Sequence, residues 1–112
     1  MPALFLMLAC TQSAYIPNEP PPIDTAYEAT IPCSTYSPNP ATFTLRNNSA
    51  AMIRLYWRDT DCVETLYAEL TAGGAHTQEG YLAAVWVIRD INDQALDWFI
   101  VDNPSPYDVT YP

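Results

Sequence analysis

The residues able to do covalent or acid–base chemistry are few. His76 is the only histidine among 112 residues, so a serine, threonine or cysteine nucleophile would have one possible base. The candidate nucleophiles Ser49, Thr77 and Cys62 stand in no recognisable activating context. A lone histidine just after Gly73-Gly74 reads as a solvated strand residue. Carboxylates gather in two places, Asp59 with Asp61, and Asp90 with Asp93 and Asp97. The second set, with Asn92, offers oxygen ligands of the kind calcium prefers. It lacks the glycine and the closing glutamate of an EF-hand loop and reads as a polar hairpin turn. The three cysteines and one histidine have no zinc-ligand spacing, and no glycine-rich phosphate loop occurs. No enzymatic activity, cofactor or metal is expected.

Composition narrows the partners further. Thirteen acidic residues stand against four arginines and no lysine, for a formal charge of −9. Such a chain is repelled by phosphate backbones and anionic bilayers, so no nucleic-acid partner is expected. A length of 112 residues holds one small domain and a tail. Hydrophobic residues at 49% exclude a wholly disordered protein. Eleven prolines against three glycines reverse the usual balance, and the positions of the prolines organise the chain.

No charged residue precedes Glu19. Within that neutral stretch Leu4 to Leu8 is an apolar run, too short to span a bilayer, followed by Ala9-Cys10. It reads as residues 1–9 of a signal-peptide remnant, with Cys10 placed as the acylated cysteine of a bacterial lipoprotein. Met7 departs from the usual lipobox, and the basic leader is missing, which a true start further upstream would explain. The competing reading is a buried N-terminal strand with a free thiol. Residues 10–40 then form a proline-rich linker, with four prolines between Pro17 and Pro22 favouring stiff extended chain. With Cys10 lipidated, Cys33 and Cys62 remain as an even pair in an oxidising compartment, and a disulfide between them is expected. It would pin the tail near Cys33 against the loop after Trp57. Two reduced, separately buried thiols are the alternative.

From residue 41 to 102 the chain is free of proline and its hydrophobic period is two. Thr42–Arg46 alternates and ends at the turn signal Asn47-Asn48-Ser49, whose match to a glycosylation acceptor is read as a turn. Ile53, Leu55 and Trp57 share one face, with Arg54 and Arg58 on the other. Further strands are read at Thr65–Leu70, from His76, at Ala84–Ile88 (apolar on both faces, hence central), around Leu96–Ile100, and at Tyr107–Tyr111. No helical period runs over ten residues. Six or seven short strands with regular turns imply an all-β fold, a small antiparallel sandwich over residues 41–112.

The spaced residues of this body resemble the β domain of the von Hippel–Lindau tumour suppressor family. Asn47-x-Ser49 leads to Trp57, then Tyr67, then Leu70 and Gly73, Tyr81, and Trp86-Val-Ile-Arg89-Asp90, with Leu96 and Phe99 beyond. The match covers about 60 of the 112 residues. The resemblance implies a seven-stranded β-sandwich. It also implies a hydroxyproline-reading pocket, whose aromatic positions fall on Trp57, Tyr67 and Trp86, with Tyr81 matching a family tyrosine. The family's hydroxyl-binding serine and histidine fall on Gly80 and Ala84, which carry no polar side chain. The α domain that recruits the ubiquitin machinery has no counterpart, so no ubiquitin-ligase partner is expected.

The expectation is therefore a non-catalytic peptide-interaction module of a bacterial envelope lipoprotein, attached to the membrane only through its lipid. An extended peptide would bind at Trp57, Tyr67, Gly80, Tyr81, Ala84 and Trp86 without selectivity for hydroxyproline. Two alternatives stay open: a structural envelope protein in which the three aromatics are all core, and an accessory domain to a separately encoded hydrolase. Lipidation has its own test. Expressed with its upstream sequence and fed labelled palmitate, the protein should take up label, and Cys10→Ser should not; equal labelling of both removes the lipoprotein reading.

Overall fold

The computed structural model describes residues 22–112. The apolar run, Cys10 and the first part of the linker lie outside the described residues. Seven strands follow one short helix: α1 (Thr25–Glu28), β1 (Pro40–Asn47), β2 (Ile53–Arg58), β3 (Glu64–Leu70), β4 (Ala75–Tyr81), β5 (Val85–Arg89), β6 (Ala95–Ile100) and β7 (Tyr107–Tyr111). They form a three-stranded sheet, β4-β1-β7, and a four-stranded sheet, β3-β2-β5-β6. The fold is the all-β sandwich that the period of two implies.

Alternation does most of the building. In β1, Ala41, Phe43, Leu45 and Asn47 are buried while Thr42, Thr44 and Arg46 face outward. Ile53 and Leu55 of β2, Leu70 of β3, and Trp86 and Ile88 of β5 complete the inner layer. Phe43 meets Trp86 and Phe99 edge-on, with centroids 5.2 and 5.0 Å apart, so one ring of the first sheet is held by two of the second. Each such pair contributes ~0.5–1.5 kcal/mol beyond its burial.

One pairing departs from the antiparallel expectation. β7 runs parallel to β1, Phe43 opposite Tyr107 and Asn47 opposite Tyr111, whereas the other pairs are antiparallel. A parallel neighbour requires a connection that crosses over, and the chain after β6 leaves one sheet to join the other. Period-two patterning is blind to this, because strand direction does not alter which residues face inward.

Asn47 is the polar centre of one end. Its amide nitrogen lies within hydrogen-bond distance of the carbonyls of Ala51, Leu70 and Thr71, at 2.8 to 3.1 Å, and its Oδ1 accepts from the Ser49 amide and hydroxyl. The turn after β1 and the end of β3 are thereby tied to one side chain. Fully buried and hydrogen-bonded on both ends, Asn47 presents no free amide to a glycan.

The outer face of β5 is covered by the segment that the prolines assign to the linker. Ile31 is buried against Val85 and Val87, with Tyr56, Ala95 and Trp98 around them. That is why β5 is apolar on both faces: it is central in its sheet and roofed as well. Residues 31–39 thus belong to the folded domain, and the expected boundary at 40 moves towards the N-terminus. Packing of one isoleucine, a disulfide and a set of backbone hydrogen bonds hold this irregular segment against the sheet.

Beside Ile31 lies a part-buried ion-pair network. The Arg89 guanidinium binds Glu28 through both terminal nitrogens at 2.6 and 2.8 Å, and Glu64 through Nε and Nη2, each at 2.9 Å. Its Nη1 also donates to the Asp93 carbonyl. Arg58 joins Glu64 at 2.8 Å and donates to the carbonyls of Ile31 and Pro32. Forked guanidinium–carboxylate pairs of this geometry are the strong kind, and they fasten α1 to β2, β3 and β5. Hydrogen bonding to Arg89, more than the opposing effect of burial, holds the Glu28 carboxyl below its ordinary range. The same bonds, first to Glu28 and then to Glu64, raise the pKa of Arg89.

A lowered carboxyl pKa has a definite consequence for stability. Glu28 binds a proton less readily folded than unfolded, so its contribution is complete above the unfolded carboxylate range and is lost as pH falls through the folded pKa. Glu28→Gln should cost ~1–3 kcal/mol near neutrality. The gap between the two proteins should close on acidification well below about pH 4. Urea denaturation at both pH values measures it, and a gap independent of pH would show that Glu28 is not ionically linked to folding.

Candidate functional site

At one end of the sandwich, β2 and β5 bring Trp57 and Trp86 directly opposite each other on the inner face. β3 then departs from regular pairing. Leu55 pairs with Ala68 and Tyr56 with Leu66, so Tyr67 is the extra residue of a bulge. Without the bulge, strict alternation would send Tyr67 to the face opposite Ala68. With it, the Tyr67 ring meets Trp86 at 5.1 Å and 83°, and Trp57 at 6.4 Å and 88°. Bulges re-aim side chains in this way beside functional sites.

The three rings form the inner wall of a cavity of about 670 Å³. Every pocket residue expected from the sequence borders it: Trp57, Tyr67, Gly80, Tyr81, Ala84 and Trp86. They differ in burial. Trp86 is only 3% exposed and belongs to the core as much as to the cavity, whereas Tyr67 is 45% exposed and Trp57 half-buried. Tyr36, 78% exposed, and Tyr81, 54% exposed, stand at the mouth. Gly80 keeps the floor open. A Cβ added there would sit 3.6 Å from Trp86 Cζ2, an ordinary contact, so a small side chain fits. Trp86 Nε1 is buried and has no hydrogen-bond partner among the described residues. An unsatisfied buried donor costs ~1–3 kcal/mol.

The opposite wall, Ser34 to Pro38, comes from the segment the sequence reading left in the linker. It is stitched in place rather than draped. Ser34 Oγ donates to the Arg58 carbonyl and accepts from the Val85 amide, so the hydroxyl stands between two residues that are ladder partners. The Ser34 amide donates to the Asp59 carbonyl, and the Thr35 amide to that of Ala83. Cys33 is joined to Cys62 with their Cα atoms 4.6 Å apart, the pairing expected from the cysteine count. Cys62 sits in the turn after β2, where Asp59 Oδ1 accepts from the amides of Asp61 and Val63. The disulfide therefore pins the tail against the loop after Trp57, as that pairing implies. A further clue to the wall lay in the sequence: any bond from Cys33 to Cys62 brings Ser34 to Pro38 within reach of Trp57.

The other candidate groups are spent on structure. His76 Nε2 is 2.8 Å from Gln78 Oε1, the Ser49 hydroxyl donates to Asn47, and Thr77 bonds Thr44 across the β1–β4 pair. Asp90 Oδ1 accepts from the amides of Asn92 and Gln94, and Asp93 adopts positive φ, which makes that acidic run a hairpin turn. Among the described residues no group of three or more His, Cys, Asp or Glu is arranged to hold a metal, and no helix is long and apolar enough to cross a membrane.

Because the disulfide anchors one wall, its loss should reach the cavity. Cys33→Ser with Cys62→Ser should lower stability by ~3–4 kcal/mol on the loop-entropy account, and should make the chain near residues 34–38 protease-sensitive. Denaturation midpoints with and without reductant read the first effect. Unchanged midpoints, or full thiol reactivity of the unreduced protein, would contradict the bond. No protein-family model matches the chain, and no curated protein matches it.

Proposed function

We propose that the protein is a non-catalytic peptide-binding module, exported to a bacterial envelope and held there by a lipid on Cys10. The extended peptide lies across the open end of the sandwich and inserts one side chain among Trp57, Tyr67 and Trp86. The observation that carries this reading is Tyr67. A large aromatic side chain is turned by a bulge towards two tryptophans, yet stays 45% exposed. In a purely structural core that ring would be covered. Exposed tyrosines at the mouth add to the support, because Tyr combines a large apolar face with a polar tip and is enriched where proteins bind partners. The resemblance to the von Hippel–Lindau β domain is part of the same proposal. It is supported by the way the spaced aromatic positions, with Gly80 and Ala84, come to border one cavity in a seven-stranded sandwich.

A second reading has one specific observation in its favour. Trp86 is buried against Phe43, as an envelope protein with an all-core set of aromatics would have it. The two readings part over ligand binding, and the same experiment tests the loss of hydroxyl recognition. Gly80 and Ala84 border the cavity where polar side chains would be needed, so a hydroxyl entering there loses water without gaining a side-chain partner. Proline peptides should bind as well as matched hydroxyproline peptides, or up to about tenfold better. Gly80→Ser with Ala84→His should shift preference towards the hydroxyl. Calorimetry with the matched pair measures both. Tenfold tighter hydroxyproline binding by the natural sequence would assign the hydroxyl to another residue, and no binding by any peptide at millimolar concentration would leave the structural reading.

A further inference from the structure

We infer that the Cys33–Cys62 disulfide is a redox latch on the cavity. A dithiol reductant opens it in the folded protein and loosens the wall facing the aromatic rings, and oxidation closes it again. The peptide-binding reading supplies what is gated, while the latch itself rests on the bond and its surroundings. The bond joins the strapped segment to the turn after β2, with 4.6 Å between the Cα atoms. It lies near the surface rather than in the core. Both cysteines are half-buried, and Thr60, Asp61 and Val63 around Cys62 are exposed. Accessible disulfides are the ones that exchange with thiols, whereas those sealed in a core resist reduction.

The turn that carries Cys62 holds it at φ +63°, the left-handed region that residues with a side chain rarely adopt. Such a conformation persists only where the surrounding structure over-determines it. Here the bond to Cys33 does so together with the Cys62 amide, which donates to the Asp59 carbonyl. That same carbonyl accepts the Ser34 amide from the strap. One backbone oxygen thus serves the strained turn and the cavity wall at once, so relaxation of Cys62 is passed to Ser34. Both sides of the bond border the cavity, Asp59 and Thr60 from the turn and Ser34 to Pro38 from the strap. Other ties survive reduction: Ile31 stays buried on Val85 and Val87, Arg58 holds the Ile31 and Pro32 carbonyls, and the Thr35 amide keeps the Ala83 carbonyl. They hold Cys33 close to Cys62, so the opened bond can form again without refolding. The exchange balances. One thiolate of the dithiol attacks a cysteine sulfur and the other cysteine leaves. The second thiol then attacks the mixed disulfide, releases the remaining cysteine and closes the reductant's own disulfide. Two electrons pass to the cysteine pair, and the two protons of the dithiol end on the released thiols.

The test uses the full chain carrying Cys10→Ser, so that Cys33 and Cys62 are its only cysteines. It is treated with dithiothreitol in the absence of denaturant, then reoxidised. Thiol titration reads the bond, circular dichroism the fold, and acrylamide quenching of tryptophan fluorescence the cavity wall, without any ligand. The bond should open while the β signal is kept, and quenching should rise and then return on reoxidation. The proline peptide, followed by calorimetry, should bind about tenfold more weakly to the reduced protein if the wall is then closed a tenth of the time. Cys33→Ser with Cys62→Ser should behave as the reduced protein and ignore the reductant; the reduction and reoxidation cycle stands by itself if that variant does not fold. A bond that resists dithiothreitol until the protein is denatured overturns the latch. So does reduction that changes neither quenching nor peptide affinity, and so does reduction that unfolds the chain. Reversible quenching with no peptide bound in either state keeps the latch and overturns the peptide-binding reading instead.

Discussion

Ser34 Oγ occupies the last rung of the ladder between β2 and β5, receiving the Val85 amide and donating to the Arg58 carbonyl. In an uninterrupted sheet those two backbone groups would approach each other. Here a side chain from a distant segment mediates between them, so both groups are satisfied. Buried backbone groups must find partners, which makes the arrangement stringent: remove the hydroxyl and a donor and an acceptor are orphaned together. Trp57 and Trp86, which line the cavity, are paired one rung inside this bridged position.

Everything that places Ser34 acts across long sequence distances. Ile31 buries itself on Val85 and Val87, the Arg58 guanidinium holds the carbonyls of Ile31 and Pro32, and the Cys33–Cys62 bond fixes the next position. Glu28 and Arg89 then clamp the helix that precedes them. Apolar burial, ion pairing and a covalent cross-link converge on fewer than a dozen residues. The result is a cavity with one wall from sheet and one from a strapped segment, and the two walls are chemically distinct. The sheet side is aromatic, and the strap contributes hydroxyls, Tyr36 and Pro38.

That division bears on function. The proposed binding of an extended peptide calls for hydrophobic surface beside a rim open to water, and exposure does rise from buried Trp86 through Trp57 and Tyr67 to Tyr36 and Tyr81. The lone histidine and the hydroxyls that would have to serve as nucleophiles are meanwhile tied into strand and turn contacts. The open end itself presents aromatic rings on the sheet side and the hydroxyls of the strapped segment opposite them.

The all-β class, the seven strands and most inward-facing residues were determined by the sequence itself, because side chains on a strand alternate faces and burial of one face leaves a period of two. Ile53, Leu55 and Trp57 were legible for that reason, as was the centrality of β5. The cysteine pairing was expected once Cys10 was set aside as the lipidated residue, with two reduced thiols as the alternative. What only the tertiary structure decided are features with no local signature. The parallel placement of β7 changes direction without changing pattern. The bulge at Tyr67 adds one residue on one strand, and its signal exists only relative to the partner strand. The strap from Ile31 to Pro38 looked like linker because proline stiffens the chain locally, while its actual position is set by Ile31, Ser34 and Cys33 finding partners 24 to 56 residues away in β2, β5 and the turn after β2. Local preference and hydrophobic period are properties of neighbours in sequence; the cavity is made by residues that become neighbours only when the chain is folded.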